Sequence, residues 1–402
     1  MSDLRKKTDS ILIATVHSGY WAGTTVFSTF LVTYLYSRGF SATQVGLVVA
    51  FMSIFNLIFQ PLWGYISDTK ANLKVVIMLC LGVSIPLVWM MPFFTRTTLL
   101  LVCGCLAVAC FEHPIKGLLD SLTNLAETRN DHIVYGVARG CGSFFSAVAC
   151  LFIGDLLDAY GIELAFTVHG VLLGIGLIAL ALFSKESYEQ PSISKNRISE
   201  RITLKKAASM LLKDYGFVAV FISTILLNIG LKAALTFTPI MIVDLGGTGV
   251  HTGYAMAINT VGMLPCMLIY SWLYQKRRVS NGILYLWACL FTVVRIFSLA
   301  LVDSLWPLVW IQILNSLSYG FLQPAMIRSI SDVAPPELRA TAITLVTGGH
   351  IAISSLLGDY IAGILIDSVG MTSMFWIGTL LGIIGTVAYF PVFRYLRKEN
   401  HK

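Results

Sequence analysis

The chain between residues 98 and 125 reads TLLLVCGCLAVACFEHPIKGLLDSLTNL, an apolar run in which three ionisable residues, Glu112, Lys116 and Asp120, stand four residues apart. The run is long enough to cross a bilayer as a helix. Because the three residues are spaced four apart, a helix places them on one polar face. A charge at the bilayer centre costs about 3 kcal/mol on insertion scales. The pattern therefore predicts a polar interior inside a membrane protein.

The composition of the whole chain agrees with this interpretation. Its 402 residues are 56% hydrophobic and 12% charged, and the mean hydropathy is +0.78, whereas a soluble domain carries about 25% charged residues. We predict an all-α membrane protein with twelve transmembrane helices in two six-helix bundles. The predicted helices cover residues 11–37, 44–66, 75–94, 98–125, 134–158, 163–183, 215–243, 252–274, 281–302, 305–330, 341–366 and 371–393.

One long polar stretch separates the sixth predicted helix from the seventh. The sequence thus predicts an N-terminal bundle at residues 1–184, a basic cytoplasmic linker at 185–213 and a C-terminal bundle at 214–402. With the N-terminus inside, most of the 28 lysines and arginines fall on the cytoplasmic side, as the positive-inside rule requires. Both termini are then cytoplasmic. This distribution explains the net charge of +7 without a nucleic-acid partner.

The loop after the second predicted helix carries a more specific motif. Residues 61–68 read PLWGYISD, and Lys70 and Lys74 follow. This resembles the loop motif of the major facilitator superfamily. The resemblance implies that Gly64 allows close helix approach, and that Asp68 pairs with a neighbouring helix end or loop to close an inner gate with Lys74 nearby. The alternative is a helix stop followed by a solvated run of charges.

A second motif resembles one branch of that superfamily. Pro114 precedes Asp120 by six residues, and residues 135–143, at the start of the fifth predicted helix, read YGVARGCGS. The branch includes lactose permease, nucleoside–proton symporters and phenylpropionate-type permeases, in which an acid in the fourth helix faces an arginine in the fifth. The resemblance implies a pair of Asp120 and Arg139. The pair either fastens two helices or takes part in solute binding or proton exchange.

The C-terminal half contains a second set of candidates. Lys232 and Asp359 lie at matching depth in the seventh and eleventh predicted helices, so we predict an ion pair. Arg295 lies near the middle of the ninth, and we expect it to bind a carboxylate or another strongly polar group. In the tenth helix Asn315 stands at the position that resembles the proton-coupling histidine of lactose permease. Because asparagine does not titrate, His350 joins Glu112, Asp120 and Asp359 as a candidate for carrying protons.

These resemblances imply a secondary transporter, acting as a monomer in the cytoplasmic membrane. It would move a small polar organic solute by alternating access, by proton symport, the solute being a sugar or glycoside, a nucleoside or an aromatic acid. Two alternatives stay open, namely proton-antiport efflux and a non-transporting sensor of the same fold. The sequence shows no metal-ligand spacing, phosphate-binding loop or nucleophile–base arrangement, so we expect neither a metal, a cofactor nor enzyme activity.

Overall fold

The computed structural model describes residues 3–69, 71–184, 211–334 and 339–399. These residues form helices and contain no strand. We number the helical segments α1 to α12 in chain order. Six lie before residue 185: α1 (Asp3–Ser37), α2 (Ala42–Thr69), α3 (Leu73–Trp89, followed by the short helix Met91–Phe94), α4 (Thr98–Glu112 and Ile115–Glu127), α5 (Tyr135–Tyr160) and α6 (Leu164–Leu182).

The second half repeats this pattern. Its segments are α7 (Tyr215–Asp244), α8 (Gly249–Val261 and Met263–Gln275), α9 (Asn281–Leu301), α10 (Leu305–Ile311 and Ile313–Val333), α11 (Arg339–Ser355, a π-helical turn at Leu356–Ile361, and Ala362–Val369) and α12 (Met371–Glu399). Each predicted membrane span coincides with one of these segments. By length and composition, nine of the described helices can cross a membrane, and Leu73–Trp89 is a shorter apolar helix. Most of the predicted linker, residues 185–210, lies outside the described residues.

The helices pack in the same order in both halves. In the first half α1 packs against α5 and α6, and α3 packs against α6. In the second half α7 packs against α11 and α12, and α9 packs against α12. Each half therefore has a central helix with the same neighbours, and each has its own apolar core. This correspondence is expected of a chain built from two structural repeats.

The chain divides into two compact units that exchange short segments of sequence. One unit contains residues 1–40, 51–194 and 246–260, and the other contains 41–50, 195–245 and 261–402. The start of α8 is thus packed with the first unit and the start of α2 with the second. Glycines permit both contacts: a Cβ on Gly253 would lie 2.2 Å from the carbonyl oxygen of Cys150, and one on Gly46 would lie 2.1 Å from that of Asp359.

Candidate functional site

Glu112 and His169 form a buried contact between a carboxylate and an imidazole in the first half. Nε2 of His169, on α6, lies 3.2 Å from Oε1 of Glu112, the last residue in the first part of α4. The exposed fraction is 0% for His169 and 1% for Glu112. A buried charge requires a partner of this kind. The two residues are far apart in sequence, and helix packing brings them together.

Pro114 explains why α4 is interrupted beside Glu112. A proline has no N–H, so it leaves the carbonyl four residues earlier without its helical donor. That carbonyl belongs to Cys110, and the indole nitrogen of Trp63 donates to it at 2.9 Å. The hydroxyl of Tyr20 donates to the carbonyl of Glu112 at 3.3 Å. Side chains from two other helices therefore satisfy carbonyls that α4 leaves open at the break.

The three residues of the predicted polar face lie on both sides of this break. Glu112 is buried against α6, whereas Lys116 is exposed and Asp120 is half-buried. Lys116 and Asp120 belong to the second part of α4, where Lys116 interacts electrostatically with Asp120. His113 and Pro114 keep right-handed helical backbone angles at the break. That the three residues form one polar face stays a prediction.

Asp120 and Arg139 lie near Trp21 and Tyr135. The Arg139 guanidinium and Tyr135 both interact electrostatically with Asp120, but the described residues contain no salt bridge between Asp120 and Arg139. The guanidinium carbon lies 3.6 Å from the centre of a Trp21 ring, and Nη1 donates to Ser143 at 3.0 Å. The Lys116 ammonium lies 5.6 Å from the centre of a Trp21 ring. The indole stabilises both cations, because the ring's quadrupole attracts positive charge.

Arg295 is completely buried in the second half. Its Nη2 donates to Oε1 of Gln312 at 3.1 Å, and Gln312 in turn donates to the carbonyl of Leu308. The Nε and Nη1 atoms of Arg295 have no hydrogen-bond partner among the described residues. An amide oxygen satisfies one donor but supplies no negative charge. The guanidinium is thus held in place while most of its donors remain open.

Asp359 is also buried, in the π-helical turn of α11. Thr236 donates to its Oδ1 at 2.6 Å, and Ser355 donates to its Oδ2. Lys232 interacts with the carboxylate electrostatically, but the described residues contain no salt bridge between the two. The direct contact predicted for this pair is therefore absent among the described residues, and two hydroxyls supply the hydrogen bonds that the carboxylate accepts.

The remaining predicted residues lie within the helices or at their ends. Nδ1 of His350 contacts the carbonyl of Val346, one helical turn earlier, at 2.7 Å. Asn315 is buried in α10. In the loop motif, Lys74 donates to the carbonyls of Ala181 and Phe183, at 2.9 and 2.7 Å. A cation is favoured at the end of a helix such as α6.

Gly64 and Asp68 are the other two residues of the loop motif. A Cβ on Gly64 would meet no atom of the described residues within 4 Å, so the close helix approach predicted there is absent in this structure. Gly64 instead lines a cavity of about 220 Å³ with residues of α2, α3 and α4. The side chain of Asp68 lies outside the described part of the chain, so its gating role stays a prediction.

Sequence comparison identifies the family. The profile of the MFS_1 like family matches residues 14–377. The chain belongs to this family. Two relatives from Bacillus subtilis (strain 168) extend the match over most of the chain. The uncharacterized transporter YwbF is 24% identical over 373 residues, covering 90% of this chain and 86% of its own. The uncharacterized MFS-type transporter YqjV is 23% identical over 418 residues, covering 100% and 97%.

Solved structures of transporters share the fold of this MFS_1 like protein. A crystal structure of the nucleoside transporter NupG superposes with a TM-score of 0.77 at 15% identity, covering 98% of this chain and all of its own. A bacterial homolog of the human lysosomal transporter Spinster, in an inward-facing and unoccupied conformation, gives 0.77 at 14%, covering 99% of each chain. The protein is thus an MFS-type transporter with a multi-pass membrane fold, and not an enzyme.

His169, the buried partner of Glu112, is not among the residues that the sequence singled out. It lies in the strongly apolar segment α6, where a lone histidine carries little information by itself. The useful signal was Glu112, since a carboxylate in a membrane span requires a partner. Thr236 and Ser355 were missed for a similar reason, because hydroxyl residues are common in membrane helices and often donate to their own backbone.

Proposed function

We propose that the protein carries a small polar organic solute across the cytoplasmic membrane by proton symport, with both termini inside. The solute is a sugar or glycoside, a nucleoside or an aromatic acid, and an aromatic acid fits best. The preference for an aromatic acid depends on Arg295, because this residue is a buried cation whose Nε and Nη1 have no partner among the described residues.

A buried guanidinium needs a partner of opposite charge. Burying an unpaired ion costs several kcal/mol in real proteins. Arg295 is fully removed from solvent, and no charged side chain acts on it electrostatically among the described residues. A planar guanidinium binds a carboxylate through two parallel hydrogen bonds. A solute carboxylate would therefore offset the burial cost, whereas a neutral sugar would supply hydrogen bonds without charge.

Further side chains belong to the same proposed pathway. The remaining candidates are polar or ionisable residues inside the helices, namely Glu112, Lys116, Asp120, Arg139, Lys232, His350, Asp359 and Asn315. Charged residues within membrane helices mark solute or ion pathways by default. We further propose that residues 1–184 and 214–402 are the two bodies whose movement alternates access, and that the protein acts as a monomer.

Uptake into proteoliposomes tests the proposed function. The purified protein is reconstituted and given radiolabelled phenylpropionate, uridine or a thiogalactoside, with and without a pH gradient that is alkaline inside. We expect uptake of phenylpropionate above that of protein-free liposomes, and stimulation by the gradient. Stimulation by the opposite gradient would indicate antiport. Absence of uptake and exchange for all three solutes would contradict the proposal.

Two substitutions separate the charge of Arg295 from its shape. Arg295→Lys keeps a positive charge but loses the planar fork, and Arg295→Gln loses both. We expect the lysine variant to bind phenylpropionate about tenfold more weakly and the glutamine variant not to transport it, since hydrogen bonds to charged groups contribute about 1.5–3 kcal/mol. Wild-type uptake by both variants would exclude Arg295 as the site of the carboxylate.

A further inference from the structure

The contact of Glu112 and His169 has the chemistry of a proton-binding site. It joins a carboxylate and an imidazole at 3.2 Å inside the first half of the protein. Because the two groups interact directly, protons bind to the pair as a unit rather than to either residue alone. Both groups can bind and release a proton.

Thr24 allows the carboxylate to be satisfied in two protonation states. Its hydroxyl lies 2.8 Å from the carbonyl oxygen of Tyr20 and 3.2 Å from Oε1 of Glu112. A hydroxyl has one proton to donate and two lone pairs that accept. When Glu112 is ionised, Thr24 can donate to it. When Glu112 is protonated, the acid can donate to Thr24 while Thr24 donates to the Tyr20 carbonyl.

Both members of the pair also have open atoms. Oε2 of Glu112 and both ring nitrogens of His169 are buried and have no hydrogen-bond partner among the residues described, so Nε2 and Oε1 approach to 3.2 Å without hydrogen-bond geometry. A structural clamp would be expected to use these atoms, because a buried polar atom without a partner costs about 1–3 kcal/mol. Their availability leaves a position on each group where a proton can be added or removed.

The packing around His169 fixes the position of the ring. A Cβ on Gly23 would lie 2.7 Å from Cδ2 of the imidazole, so α1 can approach the ring only because residue 23 is glycine. Phe27, one turn further along α1, lies with its ring centre 5.0 Å from that of His169. The imidazole is therefore held against α1 while its Nε2 reaches across to α4.

Other titratable groups lie near the pair. His113 interacts electrostatically with Glu112 from α4, and Tyr20 of α1 contacts the Glu112 carbonyl. Asp120 and Arg139 act electrostatically on Tyr20, as Glu112 does. None of these replaces the direct contact between the carboxylate and the imidazole.

We infer that Glu112 and His169 form a proton-binding site that couples this transporter to the proton gradient. The inference rests on the proposed proton symport and deepens it. A proton from water on one side forms an O–H bond with Glu112 while His169 keeps its own proton. Release of that proton to water on the other side restores the carboxylate, so that one proton crosses per cycle.

Infrared difference spectroscopy of the full-length protein tests the site without knowledge of the solute. Spectra are recorded as the pH is changed, and the carboxylic-acid band is followed. We expect Glu112→Gln to lose a component of this band that the wild type shows. Asp131→Asn is the matched control, because Lys6 holds the pKa of this exposed loop carboxyl below its usual range. It should leave the spectrum unchanged.

Two further variants test the pairing. In His169→Gln the imidazole is lost, and we expect the band to titrate about one pH unit higher or more, because the carboxylate loses a cationic partner. Gly23→Ala keeps both titrating groups but displaces the ring, so it should shift the midpoint in the same direction. A Glu112→Gln spectrum equal to the wild type, or an unchanged midpoint in both other variants, would overturn the inference.

Flux measurements separate this inference from the proposed function. If the wild type transports phenylpropionate with a pH gradient, Glu112→Gln should lose the stimulation while keeping exchange of labelled for unlabelled solute. Full stimulation in this variant would overturn the coupling role and leave the transporter proposal intact. An inactive wild type that still shows the Glu112 band would contradict the proposed function but not the proton site.

Discussion

Asp158 near the end of α5 and Asp367 near the end of α11 make the same contact in the two halves of the sequence. Asp158 accepts hydrogen bonds from the amides of Gly249 and Val250, the first residues of α8, at 2.7 and 3.2 Å. Asp367 accepts bonds from the first two amides of α2, at 3.1 and 2.8 Å. Each carboxylate satisfies amides that have no helical partner and lies at the positive end of a helix. The second structural repeat thus preserves a helix cap supplied by a neighbouring helix.

Removing these caps should destabilise the protein. We expect Asp158→Ala and Asp367→Ala each to cost about 1 kcal/mol, and the two losses to add, because the sites share no contacts. The asparagine variants should lose less, since an amide oxygen still accepts the hydrogen bonds. Thermal unfolding in detergent measures these effects. Asp155→Ala, one turn earlier on α5, is the control, and an equal loss there would contradict the capping role.

The break in α4 supports a second prediction, a double-mutant cycle. Trp63→Phe removes the donor to the Cys110 carbonyl and should cost about 1 kcal/mol. In a Pro114→Ala background the alanine amide can donate to the Cys110 carbonyl. Trp63→Phe should then lower the free energy of unfolding by less. The difference in unfolding free energy between the two backgrounds measures the coupling. Equal costs in both backgrounds would show that Trp63 does not serve the proline break.

Gln312 provides a test of the open site at Arg295. Gln312→Glu would place a carboxylate where the amide oxygen now accepts from Arg295 at 3.1 Å. We expect this variant to be more resistant to heat than the wild type and to bind phenylpropionate at least tenfold more weakly, because the guanidinium already has an anion. Gln312→Met is the control without added charge. Undiminished binding by the glutamate variant would argue against Arg295 as the carboxylate site.

Lys232 and Asp359 can be tested by exchanging their charges. We expect Lys232→Asp and Asp359→Lys each to reduce the amount of monodisperse protein recovered from membranes, since each leaves an uncompensated charge. The double exchange should recover more protein than either single change. The hydroxyls of Thr236 and Ser355 can still accept a hydrogen bond from a lysine at position 359. A double variant no better than the single ones would exclude an electrostatic partnership.

The sequence by itself determined the helical segments, because a bilayer requires long apolar helices and charges are costly within them. It also placed the costly residues that need partners, Glu112, Asp120 and Arg295. Hydropathy depends on local composition, so the predicted spans agree with the observed segments to within about one or two turns. The repeat of six helices followed likewise from the order of apolar and polar runs.

Only the tertiary structure decided which groups those residues meet. Glu112 contacts His169, which lies on another helix, α6. Asp359 accepts hydrogen bonds from Thr236 of α7 and from Ser355 of its own helix. Such choices depend on helix rotation and side-chain packing across residues far apart in sequence, which no local pattern encodes.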